Sequence, residues 1–184
     1  MHMRVYVCMY TDVYEKLKRK NQILFTRDSV CLQRLLAKMG EQNDRTLVLW
    51  ALECCRVPVK RLKEHFPEDE RPQRALEAST MWSMGKIKMP EAKKAILQVH
   101  AMTKDVDSPE DAALCHAVGQ GCSTVHTRGH AIGLPMYELT ALVRLYGVDE
   151  ARLDEKIEYY VNQLDLCMVK EHTQPRLWAP FLLK

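Results

Sequence analysis

The stretch Asn43-Asp-Arg-Thr-Leu47-Val-Leu-Trp50-Ala51-Leu-Glu-Cys54-Cys55 decides the fold class. Leu47, Trp50, Ala51, Cys54 and Cys55 recur at intervals of three and four residues, so a helix gathers them on one face. Asn43 or Asp44 supplies the start, because a short polar side chain can accept a bond from the otherwise unpaired first amides. Glu53, Arg56, Lys60, Arg61 and Lys63 occupy mostly other directions, while Val59, Leu62 and Phe66 continue the apolar stripe. Pro58 interrupts it. Proline lacks an amide hydrogen and crowds the preceding turn, so a kink, or two helices meeting, is predicted there.

The same grammar repeats toward the C-terminus. Pro67-Glu-Asp-Glu-Arg-Pro72 is a punctuated connection, and a helix beginning near Pro72 turns Ala75, Leu76, Ser79 and Trp82 inward before Gly85 ends it. Met89-Pro-Glu91 opens another, with Ala92, Ala95, Ile96, Val99 and Met102 inward. Ser108-Pro-Glu-Asp111 is the cleanest start: a capping serine, a proline in the first turn and two acids at the positive helix end. Ala113, Ala117, Gly119, Gly121 and Ser123 then allow close helix approach, and Gly129, Gly133 and Pro135 leave continuity to Tyr146 open. Gly147 terminates, Asp149 caps a last long helix to about Lys170, and the apolar segment Trp178 to Leu183 docks back as an irregular tail.

Toward the N-terminus the reading is thinner. Thr26 is read as the cap of a helix burying Val30, Leu32, Leu35, Leu36 and Met39, with Gly40 as a left-handed stop. Thr11 to Asn21 reads as a charged helix with Val13, Leu17 and Tyr14 inward, and Val5 to Tyr10 is rich in strand formers. The sum is an all-α, single-domain bundle of about seven helices over residues 1–184.

Composition narrows the function classes. The 27 basic and 24 acidic residues leave a formal net charge of +3, too balanced for a polyanion binder, so nucleic acid is not expected as a partner. The charge is uneven: residues 1–66 hold 13 Lys and Arg against 7 Asp and Glu, the remainder 14 against 17. No run of 18 apolar residues offers a membrane span. Seven irregularly spaced cysteines without a secretory segment read as small core residues in a reducing cytoplasm rather than a disulfide framework.

Five residues stand out as partner-binding candidates: Arg71, Glu77, Trp82, His126 and His130, with Asp69, Glu53 and His100 as secondary polar candidates. Arg71 and Glu77 would fix polar groups, Trp82 would anchor apolar surface or fill core, and the histidines would complete a polar patch. On a continuous helix His126 and His130 face the same way, at the spacing of a metal pair, with Cys122 one turn before them. Three ligands on one stripe span about 12 Å and do not converge on one ion, so no metal and no cofactor are expected. His116 lies about 15 Å from His126 along such a helix. No catalytic residue is assigned. The alternatives kept open are a small helical enzyme using the histidines, with or without a metal, and an assembly protein that self-associates.

The segment from about Arg45 to Tyr137 resembles the putative immunity protein family, compact helical bacterial domains associated with polymorphic toxin systems. The resemblance is carried by Leu49-Trp-Ala-Leu-Glu-Cys54, Pro67 to Pro72, Ala75-Leu-Glu-Ala78, Trp82 and Gly85, then Ala92, Ala95 and His100-Ala101, then Gly119, His126 and His130-Ala-Ile-Gly133. It departs at Glu53, where aspartate is common, at Gln73 and Thr80, where arginines are frequent, and at Lys86, where an acid is frequent. The resemblance implies a helical bundle that works by binding a protein toxin, and it carries over no catalytic residue.

Overall fold

The computed structural model describes residues 9–184, so most of the strand-forming run Val5 to Tyr10 lies outside the described residues. Eight α-helices follow: α1 (Thr11–Lys18), α2 (Gln33–Gly40), α3 (Asp44–His65), α4 (Arg71–Ser83), α5 (Met89–Ala101), α6 (Pro109–Ser123), α7 (Gly133–Tyr146) and α8 (Glu150–Thr173). No strand occurs among the described residues. The fold is the all-α bundle expected, with eight helices rather than seven. The open question between Ala112 and Tyr146 resolves into two helices, because the chain turns after Ser123 and restarts at Gly133.

Local chemistry fixes three of the eight starts. The Asn43 side chain accepts from the Thr46 amide at 2.8 Å, Ser108 Oγ from the Asp111 amide at 3.0 Å, and Asp149 from the Arg152 amide at 3.1 Å. Asp111 does double duty, since its Oδ2 accepts from Ser108 Oγ while His65 Nδ1 bonds its Oδ1 at 2.7 Å and so ties the end of α3 to the start of α6. Gly85 and Gly147 adopt φ of +71° and +75°, the left-handed geometry that stops α4 and α7.

Four expectations are corrected. Pro58 does not divide α3 into two helices; the helix runs unbroken through it. An interior proline costs about 3 kcal/mol, and the burial of Cys54, Cys55, Val59 and Leu62 on both sides offsets that. Thr26 does not cap α2: its amide donates to Ser29 Oγ, and a 3₁₀ turn at Val30–Leu32 precedes the helix, leaving Val30 exposed. Gly40 is the last residue of α2 without a positive φ, so the turn into α3 needs no left-handed residue. In α1, Val13 is buried but Tyr14 faces outward and donates to Glu150 at 3.1 Å.

Helix α6 is the hub. It packs against α3, α4, α5 and α7, while α3 also carries α8 and α4. Small residues permit this: a Cβ at Gly121 would lie 2.2 Å from Cys55 Sγ and 2.7 Å from a Leu134 methyl. On the α3–α8 side, buried Trp50 donates through Nε1 to the Tyr160 carbonyl at 3.0 Å and meets the Tyr160 ring edge-on. The Tyr160 hydroxyl donates to Glu138, which also pairs with Lys156 at 2.7 Å. The tail returns as expected. The Ala179 amide donates to the Ser83 carbonyl at 2.8 Å, and Ala179 and Leu182 are buried.

Candidate functional site

The end of α4, the turn after α6 and the returning tail meet around Trp82. Trp82 is on the inward stripe of α4 and is only 5% exposed. Phe181 of the tail lies 5.9 Å from it, ring centre to ring centre, and His126 lies 5.6 Å from it at an interplanar angle of 32°. His130 continues the row, stacked on His126 at 6.1 Å. Three of the five sequence-predicted residues, Trp82, His126 and His130, are therefore brought together.

The two histidines do not share a helix. α6 ends at Ser123, the Thr127 amide closes a turn onto the Ser123 carbonyl, and Arg128–His130 form a 3₁₀ turn. Two arginines hold this turn in place. Arg128 donates to the Asp44 carboxylate and to the Met39 and Gln42 carbonyls, and Arg27 donates to the Gly129 carbonyl. The break also separates Cys122, fully buried, from exposed His126, so the helical stripe of Cys122, His126 and His130 does not exist.

His126 Nδ1 donates to the Ser123 carbonyl at 3.2 Å, and His130 Nδ1 to Gln120 Oε1 at 2.9 Å. Gln120 is seated on Gly133, where a Cβ would come within 2.5 Å of Oε1. Burial, then His126 and Arg27, lower the pKa of His130, so its ring is neutral at pH 7 and Nε2 is an acceptor. Neither Nε2 has a hydrogen bond among the described residues.

Behind this row sits a second one. His100 and His116 bond Nδ1 to Nδ1 at 2.9 Å, and His116 lies 5.0 Å from the Tyr137 ring. Burial first, then His116 and His130, push His100 down to about 4. A Cβ on Gly119 would lie 2.2 Å from His100 Nε2, so this glycine makes the space for the ring.

The remaining candidates lie elsewhere. Arg71 holds Asp69 through Nε and Nη2 and reaches Asp105 at 2.7 Å, which joins the start of α4 to the turn after α5. The guanidinium keeps the Asp69 carboxyl below its usual range. Glu77 is exposed on α4, bonded to Gln73, on a different face from buried Trp82. Glu53 pairs with Arg56 at 3.2 Å. Among the described residues no group of three or more His, Cys, Asp or Glu could hold a metal ion. Burial raises the thiols of Cys31 and Cys115 to about 12, so both are protonated at neutral pH.

The sequence reading missed the tail aromatic and the two arginines. Phe181 is 40% exposed, and Met81, next to Trp82 on α4, is 42% exposed. Leu177 and Leu183 flank Phe181 in the tail and are more exposed still.

The family model described as Imm-5 like putative immunity protein matches residues 37–165. The chain belongs to this family. The match begins before and ends after the segment 45–137 that carries the resemblance in sequence, and it takes in Trp82, His126 and His130. As an Imm-5 like chain it carries an immunity-type family assignment, while the tail that supplies Phe181 lies beyond the matched residues. No curated protein and no solved structure matches the chain. Among the described residues no helix is long and apolar enough to cross a membrane.

Proposed function

We propose that this chain neutralises a protein toxin by binding it directly, through the face formed by Trp82, His126, His130 and the tail. The carrying observation is half-exposed Phe181 against an aromatic row, Trp82, His126 and His130, that ends in two imidazoles with Nε2 atoms unpartnered among the described residues. Apolar area there would gain by desolvation on docking, and the imidazoles would accept hydrogen bonds from donors on the toxin. Trp82 is too buried to protrude; it supports Phe181 and His126 from below. Arg71 and Asp69 already satisfy one another, which favours a role in holding the loop rather than in contact. The enzyme alternative is less well supported, because neither His126 nor His130 has a carboxylate partner to orient it.

The test is recovery of the toxin by co-purification from the native cell, then affinity measurement with Phe181→Ala and His126→Ala. The expected loss is at least ~10-fold for Phe181→Ala, within the range of interface aromatic truncations. Growth rescue of cells expressing the toxin should fall in parallel. Unchanged affinity in both variants, with unfolding midpoints preserved, would remove this face from the reading.

A further inference from the structure

A cavity of about 450 Å³ opens between α6, α7, residues 22–23 and the turn after α5. Its polar wall is made by Thr103, His116, Tyr137 and Arg144, and its apolar wall by Ile23, Pro109, Ala112 and Ala113. We propose that it binds a small organic carboxylate, with the anionic head on the Arg144 guanidinium and the apolar body against Ile23 and the His116–Tyr137 ring pair. This proposal is independent of the toxin-binding face, and no toxin enters its test.

Charge argues for the head group. No acidic side chain lines the cavity. Arg144 makes no ion pair among the described residues; its Nη2 donates to the Asn21 carbonyl at 2.7 Å, and the rest of the fork is left to donate. Most other arginines of the chain are paired with acids, Arg34, Arg45, Arg71 and Arg128 among them. A planar guanidinium matches a carboxylate in bidentate geometry. Tyr137 and Arg144 are seven residues apart, two turns along the same face of α7, so both look onto one ligand.

Further donors and shape complete the site. The Tyr137 hydroxyl has no hydrogen bond among the described residues, and His116 uses Nδ1 on His100, which leaves Nε2. Burial lowers the pKa of His116, so Arg144 is the one charged group on the wall at neutral pH. A single cation suits a monoanion; a phosphate dianion would bring a second charge with nothing opposite it. The rings of His116 and Tyr137, 5.0 Å apart and tilted by 36°, form an aromatic side, and Ala112 and Ala113 leave the volume open. That volume falls within the ~300–1,000 Å³ of small-molecule sites.

Benzoate is the probe, with benzamide as its uncharged counterpart and inorganic phosphate as the competing anion, at matched ionic strength. Benzoate should shift the backbone amide resonances of Ala112, Ala113 and Tyr137 saturably, with a Kd of about 1 mM for a fragment of this size. Benzamide should bind at least ~10-fold more weakly, and Arg144→Gln should weaken benzoate by at least ~10-fold. Arg144→Lys, which keeps the charge and loses the fork, should fall between. The unfolding midpoint of Arg144→Gln should match the wild type, because the one bond lost among the described residues is to an exposed carbonyl. No saturable response to benzoate would overturn the site. Equal binding of benzamide, or benzoate affinity untouched by Arg144→Gln, would overturn the head-group assignment. Phosphate binding as tightly as benzoate would overturn the carboxylate class.

Discussion

Gly119→Ala is the most informative single change, because two general rules give it opposite signs. Alanine in place of glycine inside a helix gains ~1 kcal/mol of propensity, and Gly119 is well inside α6. Against this, the new Cβ would lie 2.2, 2.3 and 2.7 Å from Nε2, Cε1 and Cδ2 of His100. The ring has little room to retreat: His116 holds its Nδ1 at 2.9 Å and is itself packed 5.0 Å from Tyr137. Overpacking costs about 1–3 kcal/mol, and displacing the ring also loses a hydrogen bond of about 1 kcal/mol. The net expectation is a destabilisation of about 1–3 kcal/mol. Urea unfolding followed by circular dichroism should show a lower midpoint at unchanged slope. In a His100→Ala background the same change should be neutral or stabilising, a coupling of at least ~1 kcal/mol. A stabilised Gly119→Ala protein, or an equal cost in both backgrounds, would refute the packing argument.

Acidification should destabilise the fold before any carboxylate cluster is touched. His100 has a folded pKa of about 4 against an ordinary 6.5, so the unfolded chain takes up the proton first; stability is full above about 6.5 and is lost as pH falls toward 4. The difference corresponds to about 3–4 kcal/mol at most, less for the partial exposure of the ring, and His100→Gln should flatten that part of a stability–pH curve. Lys156→Met should cost about 3 kcal/mol by chemical denaturation, because it strands Glu138, which is 4% exposed; adding Glu138→Gln should recover most of the loss. Arg71→Ala should lower stability by about 1–2 kcal/mol by releasing Asp69 and Asp105, and should leave toxin capture unchanged.

Legibility in the sequence followed the range of the interactions. Asn43, Ser108 and Asp149 act on amides three residues away, so composition alone located those helix starts. Gly85 and Gly147 were legible for the same reason. Pro58 was misread because its local penalty is offset by packing against distant helices, which no window of neighbours contains. The site shows the same division. Trp82, His126 and His130 stand out as residue types, but their convergence depends on Arg27 and Arg128 pinning a turn to segments about ninety and a hundred residues earlier. The His100–His116 pair was hidden by another long-range fit, for only the small size of Gly119 hints that a ring must lodge against α6. Phe181 gave no signal beyond an apolar tail.

That tail divides the proposed face in an unequal way. Trp82, His126 and His130 belong to the matched residues 37–165, with Trp82 buried in the bundle and the two histidines on the turn pinned by Arg27 and Arg128. Leu177, Phe181 and Leu183 project outward from a short segment clipped to α4 by the Ala179 amide and by Arg176 on Ser83. A rim built on such a clip is interchangeable in a way its floor is not. On the proposed reading, a change confined to residues 176–183 would alter the rim of the face while leaving the sequence of the helices beneath it untouched.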